Sequence, residues 1–382
     1  MLNESILIDF YEFTMAYGYF KQGFKEKHAT FDLFFRSFPD RGGYAIFAGL
    51  ESIIQYVENL SFSAEDIIYF RDKNLFNEDF LSYLAHFKFT GDIYAMPEGS
   101  VIFPKEPILI VKSPIIEAQL LETFILQAFN HQSLIATKSS RLKESAGDKL
   151  LIEMGARRAH GSTSANLGAR AAYIGGVDAT SNTMADRLYK VPATGTMAHS
   201  WVQSFDSEYE AFKAYANEFP NQSTFLIDTY NTLKSGLPAA IQVIQEILIP
   251  LNVESYAVRI DSGDLAYLSR ETRKQLDLNG LEKCKIVVSN ALDEYLIQNL
   301  INQGAPIDAF GVGERLITAK SDPVFGGVYK LTSLENKGQL EPKLKLSENP
   351  NKMTTPGFKN VYRIYSEGFA QADLITEHDE TV

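Results

Sequence analysis

The chain has 382 residues, 45% hydrophobic and 22% charged, with a formal net charge of -12 at pH 7; this balance suits a folded globular protein and excludes a disordered or fibrous one. Such an acidic chain lacks the broad positive field that nucleic acids and anionic membranes require, so neither is an expected partner, and an anionic ligand needs a local cationic pocket. The lone cysteine, Cys284, excludes an internal disulfide and a multi-cysteine metal site, and fits a reducing, cytoplasmic setting.

Acidic residues interrupt the opening M-L-N-E-S-I-L-I-D-F at once, so it reads as mature protein rather than a signal sequence. No apolar run approaches the roughly 20 residues needed to cross a bilayer. Over residues 1–120 the periods are mixed. D-F-Y-E-F-T-M-A-Y-G-Y-F predicts an amphipathic helix, A-T-F-D-L-F-F-R-S-F alternates as a strand, and I-Y-A-M-P-E-G-S-V-I-F-P with P-I-L-I-V-K-S-P predicts hairpin-like strands. This is an α+β pattern. Helical spacing then runs from Ile115 to Ser145.

From about residue 150 short apolar runs end in polar or glycine-rich residues and alternate with helical segments. The runs are L-L-I-E-M-G-A-R-R, G-V-D-A-T-S-N-T, F-L-I-D-T-Y-N-T, Y-A-V-R-I-D-S-G-D, K-I-V-V-S-N-A-L-D and I-D-A-F-G-V-G-E-R. Strands alternating with helices predict a parallel sheet, and six units favour an α/β barrel over an open sheet. In either fold the ligand site gathers at the carboxyl ends of the strands, where the polar residues lie. Beyond residue 330 a turn-rich segment centred on K-L-K-L-S-E-N-P-N-K-M-T-T-P-G-F-K-N-V-Y-R ends the alternation.

Several motifs can carry chemistry. In G-V-G-E-R-L the glycines Gly311 and Gly313 allow close backbone approach to a phosphate, with Thr318 beyond them, although Glu314 is an awkward neighbour for an anion. Asp261 and Asp264, in V-R-I-D-S-G-D, suit ribose hydroxyls or Mg2+, and equally a helix cap; Arg259 before them can grip a carboxylate or phosphate bidentately. Lys138 and Arg141, and Arg157 and Arg158, supply the local positive charge that the acidic chain otherwise lacks, or are solvated surface charges. His199, in V-P-A-T-G-T-M-A-H-S-W, is a core histidine, a general base or a nucleophile; no second His or Cys stands at ligand spacing for a metal.

Taken in order with D-F-Y-E-F-T-M-A-Y-G-Y, G-T-M-A-H-S, G-G-V-Y-K-L and P-G-F-K-N-V-Y-R, these blocks resemble the nicotinate phosphoribosyltransferases among the type II phosphoribosyltransferases. The resemblance covers nearly the whole chain. It implies an irregular α/β barrel over 121–330, with an α+β domain built from 1–120 and a returning segment, 331–382, that stops where many members continue. It also implies a homodimer with shared active sites that converts nicotinate and phosphoribosyl pyrophosphate to nicotinate mononucleotide, with ATP hydrolysis and Mg2+.

Carried onto this chain, the resemblance makes Tyr11 the stacking partner of the pyridine ring, and Thr196 and Arg259 the nicotinate ligands. His199 becomes the residue phosphorylated from ATP, Asp261 a ligand of ribose or of the metal-bound donor, and Thr318 a contact to the phosphoribosyl donor. Lys138, Arg141, Arg157 and Arg158 are its anion ligands. Many members carry a small or hydroxyl residue in place of Glu314. Nicotinamide and quinolinate phosphoribosyltransferases, a phosphosugar isomerase or lyase on a similar barrel, and a non-catalytic ligand sensor are the alternatives.

Overall fold

The periodic patterns resolve into two folding units in the computed structural model, which describes residues 4–346, 348 and 353–381. The first comprises Met1–Leu134 and Val324–Val382, the second Ile135–Pro323.

In the first unit, strands β1 (His28–Phe35), β3 (Asp92–Ala95), β5 (Leu109–Pro114), β12 (Gly327–Asn336) and β13 (Gln339–Pro342) form an antiparallel sheet in the order β13-β12-β1-β5-β3. Strand β12 crosses position 330 because it pairs with β1 along nearly its whole length. Strand β3 pairs with β5 as the sequence predicts. The intervening β4 (Val101–Ile102) instead pairs with β2 (Ala45–Ile46). Although H-A-T-F-D-L-F-F alternates, every residue of β1 after His28 is buried, since the central strand is covered on both faces. Its one acid, Asp32, meets Lys359 at 2.8 Å and accepts a hydrogen bond from Thr332. Lys359 opens β14 (Lys359–Ser366), which forms a two-stranded ribbon with β15 (Phe369–Glu377).

The aromatic N-terminal block forms the helix Phe10–Lys21. Its buried Phe13 packs 4.5 Å, centroid to centroid, from Phe70 of the helix Ala64–Asp72. That second helix starts at Ser63 because Ser63 and Asp66 satisfy each other's backbone N–H groups in a capping box.

In the second unit all six apolar runs become strands: β6 (Leu150–Glu153), β7 (Ala179–Thr180), β8 (Thr224–Leu226), β9 (Ala257–Ile260), β10 (Lys285–Ser289) and β11 (Ala309–Val312). Every pairing is parallel, in the order β7-β6-β11-β10-β9-β8. This is the cyclic chain order, with β7 and β8 as the two edges. Helices such as Leu265–Leu278 and Glu294–Asn302 make the crossovers, and Asp264 and Asp293 cap them by accepting hydrogen bonds from Tyr267 and Leu296. Parallel strands point their carboxyl ends to one edge, so the loops that follow β6 to β11 share it. Among the described residues no helix is long and apolar enough to cross a membrane.

Candidate functional site

Arg259 is the second-last residue of β9, and its guanidinium is spent on three side chains from three different segments. Nε donates to Ser289 Oγ at 3.0 Å, Nη1 to Thr196 Oγ1 at 3.1 Å and Nη2 to Asp261 Oδ1 at 3.0 Å. Ser289, at the end of β10, also donates to Asp261. The planar donor fork is thereby fixed in orientation, which a lysine ammonium cannot reproduce.

Thr196 and His199 arrive on a strap that runs beside β7. Thr180 N–H donates to Pro192 O at 2.9 Å, and Thr194 N–H to Thr180 O at 2.8 Å. The short helix His199–Gln203 follows. Trp201 ties it down by donating Nε1–H to Ala211 O at 3.0 Å, so the lone tryptophan anchors the strap. The imidazole of His199 is 40% exposed, with Nδ1 3.0 Å from Thr229 Oγ1 and Nε2 3.9 Å from Asp228 Oδ1 and 4.0 Å from Asp261 Oδ2.

Asp228, just past β8, was not singled out from the sequence. Its carboxylate is 2% exposed. Oδ2 accepts from Asp261 N–H at 3.0 Å and Ser262 Oγ at 2.5 Å, which fixes the loop after β9. Oδ1 is buried and has no hydrogen-bond partner among the described residues. The signal was present: F-L-I-D places an Asp after its apolar run as V-R-I-D does. A cavity of about 380 Å³ adjoins it, lined among others by Asp228, Asn231, Lys234, Ser262 and Gly263.

Of the remaining predicted residues, Gly311 packs beside Ser289 and the others make contacts of their own. Arg157 and Arg158 lie exposed on the turn Ala156–Arg158 after β6. Glu314, the awkward neighbour, binds Lys320 at 2.7 Å and lies 4.0 Å from Arg158; the hydrogen bond from Lys320 holds its carboxyl below the usual range. Its charge is therefore answered locally. Thr318 donates its hydroxyl to Glu314 O at 2.7 Å. Gly311 is a packing glycine, since a Cβ there would stand 2.8 Å from Met154 Sδ and 3.2 Å from Ser289 Cβ; at Gly313 the nearest atom is Met154 O, at 3.2 Å.

Lys138 is buried against Glu294 at 2.9 Å and Ser321 at 2.6 Å, and Arg141 reaches the same Glu294 at 3.2 Å. Asp264 accepts from Tyr267 N–H at 3.0 Å and caps the helix Leu265–Leu278. Tyr11 belongs to the first unit, exposed on Phe10–Lys21. Although the residue as a whole is exposed, partial burial of its phenol, reinforced by Glu122, Glu12 and Asp9, raises it above the ordinary tyrosine range. Among the described residues no group of three or more His, Cys, Asp or Glu side chains is arranged as a metal cage.

Known proteins match this arrangement along the whole chain. Residues 6–130 match the nicotinate phosphoribosyltransferase N-terminal domain, and residues 150–363 the nicotinate phosphoribosyltransferase family. A nicotinate phosphoribosyltransferase of Bacillus subtilis is 47% identical over 380 residues, covering 99% of this chain and 77% of the relative. The crystal structure of human nicotinic acid phosphoribosyltransferase superposes with a TM-score of 0.82 at 32% identity, covering 98% of this chain and 82% of the other. A nicotinate-nucleotide pyrophosphorylase of Pyrococcus furiosus shares the fold, with a TM-score of 0.77 at 22% identity over 100% of this chain and 86% of the other. The chain belongs to the nicotinate phosphoribosyltransferase family.

Proposed function

We propose that the protein joins nicotinate to phosphoribosyl pyrophosphate, giving nicotinate mononucleotide and pyrophosphate, and that ATP hydrolysis is coupled to this step through His199. The observation that carries the reading is the Arg259 guanidinium, locked on Thr196, Ser289 and Asp261 at the convergent sheet edge of a chain of this family. A fixed cationic fork beside a hydroxyl suits a small aromatic carboxylate. Held there, nicotinate would present its ring nitrogen to ribose C1, and Tyr11, supplied across the proposed dimer, would stack on the ring.

The bond from C1 to pyrophosphate then breaks, with positive charge growing on the sugar and negative charge on the leaving group. Asp261 is the proposed acceptor for ribose hydroxyls. Arg157, Arg158, Thr318 and the backbone at Gly311 and Gly313 are the proposed phosphate ligands. Lys138 and Arg141, which both meet Glu294, are proposed to contribute at longer range.

Mg2+ suits the oxygens of Asp228 and Asp261, since this ion takes one or two protein carboxylates and fills its shell with water and substrate phosphate. The unpartnered, buried Oδ1 of Asp228 supports that fit. Bound there, the ion would stabilise charge on the departing pyrophosphate.

Because His199 Nδ1 faces Thr229, Nε2 is the nitrogen turned to the carboxylates and proposed to take the γ-phosphoryl group of ATP. The N–P bond forms as the bond to ADP breaks, and water later hydrolyses it. The added charge couples ATP to transfer only if it changes the affinity for donor, acceptor or product. The same reading takes the parallel sheet as an irregular barrel, supported by its cyclic strand order. It takes the enzyme as a homodimer of the cytoplasm, the dimer supported by the exposed Phe10, Tyr11 and Met15 of the first helix.

The test is a substrate panel of nicotinate, nicotinamide and quinolinate with the phosphoribosyl donor, with and without ATP. Nicotinate mononucleotide should form fastest, and faster with ATP. Equal rates with nicotinamide would overturn the substrate assignment. Acid-labile labelling from ATP that survives His199→Ala would overturn the phosphorylated residue.

A further inference from the structure

We propose that Glu153 is a positioning residue for this transfer, a buried carboxylate that fastens the turn carrying Arg157 and Arg158 and the strap carrying Thr196 and His199 to one point of the sheet. The inference rests on the functional reading of those four residues given above.

Glu153 ends β6 and is fully buried. A carboxylate in such a place is costly unless donors meet it. One oxygen accepts from the backbone N–H of Gly155, and the other from Thr180 Oγ1 at 2.6 Å. Burial raises the carboxyl above its ordinary range, and the two donated hydrogen bonds pull it back. An apolar side chain of similar volume would fill the space more cheaply, but it could not hold both donors, one on the turn after β6 and one at the end of β7.

Each donor leads to the site. Gly155 opens the turn Ala156–Arg158, which closes with Arg158 N–H on Gly155 O at 2.8 Å. Only glycine fits at this approach, because a Cβ would stand 2.6 Å from Ile317 Cβ and 2.8 Å from Glu153 Oε1. Thr180 is the residue whose backbone holds Pro192 and Thr194. Two residues further on, Thr196 meets Arg259, and His199 begins the next helix. A shift of the Glu153 carboxylate therefore reaches both the proposed phosphate ligands and the proposed nicotinate and ATP residues.

The test combines steady-state kinetics of the full chain, varying nicotinate, donor and ATP, with thermal denaturation and hydrogen–deuterium exchange over residues 191–201. Glu153→Ala should cut kcat/KM about 10–100-fold, the scale expected of a misplacement near 1 Å. Glu153→Gln should stay within about threefold of wild type, because its carbonyl can accept from Gly155 while its amide donates to Thr180 Oγ1.

Thr180→Val cuts the strap arm, and with it the acceptor of Asn182 N–H, while leaving Gly155 on Glu153. It should raise KM for nicotinate and weaken ATP stimulation while KM for the donor stays within about twofold, a split that general destabilisation would not make. Both Glu153→Ala and Thr180→Val should speed exchange over 191–201. Wild-type kinetics in Glu153→Ala, or losses in all three variants that simply follow their melting temperatures, would overturn the proposal. A wild-type enzyme that makes no nicotinate mononucleotide defeats the functional reading instead. The exchange experiment still judges Glu153 in that case: unchanged protection of 191–201 in both variants overturns its role.

Discussion

Arg259 and Asp261 face each other across a 3.0 Å hydrogen bond although they are only two residues apart, one inside β9 and one just past its end. Ser289 donates to the same carboxylate and accepts from the same guanidinium, so the three side chains form a closed ring. Arg259→Lys should therefore be far from conservative. It loses the fork that meets Thr196, Ser289 and Asp261 together, and kcat/KM for nicotinate should fall about 100-fold, on the order of 3 kcal/mol. Initial rates against nicotinate concentration check this, and a loss below about threefold would remove Arg259 from the binding role.

Asp228 gives a cleaner separation of fold from coupling. In Asp228→Asn the amide oxygen can still accept from Asp261 N–H and Ser262 Oγ, while the atom facing His199 loses its negative charge. The melting temperature should change by only a few degrees. ATP stimulation should fall about tenfold, a change of about 1.4 kcal/mol, because the variant removes the negative charge 3.9 Å from His199 Nε2. Basal and ATP-stimulated rates measured side by side decide it, and full stimulation in the variant would show that this carboxylate is not needed for coupling.

The six strand-forming runs of the second unit were legible because a parallel sheet buries both faces. Its strands then read as short apolar runs that end where the chain reaches the polar edge, as K-I-V-V-S and A-F-G-V do. Strand β1 was legible as a strand, but its double-sided burial was not, because Thr30 and Asp32 are polar and their partners lie about 300 residues away. Lys138 and Glu294 are 156 residues apart, and nothing local in T-K-S-S-R-L-K announces a buried partner. Asp228 went unmarked for a different reason. Its neighbours T-Y-N-T carry no second charge, whereas S-G-D beside Asp261 does. Family membership was legible because it rests on the order of many blocks rather than on any single contact.

Glu12 sets a pH dependence for the first unit. It is fully buried on the helix Phe10–Lys21 and accepts from Thr123 N–H at 3.1 Å. Burial pushes its carboxyl up to about 8 from 4.5, with Glu122 and Asp9 adding to the rise and Thr123 opposing it. Between those two values the native state holds a proton that the unfolded chain releases. This contribution to stability is full below about pH 4.5 and is lost as pH rises through about 8. Glu106, pushed up to about 7 chiefly by burial, has the same sign. Melting temperatures across pH 5 to 8 should therefore decline, and Glu12→Gln, which cannot ionise, should decline less steeply. Parallel curves for the two proteins would refute the assignment.

The last prediction concerns the ion pair beneath P-G-F-K. Lys359 Nζ lies 2.8 Å from Asp32, and both side chains are almost wholly buried. The same ammonium donates to Thr355 O at 2.9 Å and Gly357 O at 2.6 Å, so one side chain pins the start of β14 to the central strand of the antiparallel sheet. Lys359→Met leaves Asp32 with Thr332 but no opposite charge, a loss that for buried pairs costs about 3–5 kcal/mol. The cost should depend on pH. Even with Lys359 present, burial raises the Asp32 carboxyl to about 6. A raised folded value means stability that is present below the unfolded value and lost as pH climbs through the folded one. Removing the lysine moves the folded value higher still, so the penalty grows toward alkaline pH. Urea denaturation should show a larger deficit for the variant at pH 8 than at pH 5. Restoring neutrality with Asp32→Asn in the same chain should recover much of the pH 8 loss, because it removes the uncompensated charge. A deficit equal at both pH values, or one that the second substitution leaves untouched, would mean that Lys359 acts only through its two carbonyl hydrogen bonds.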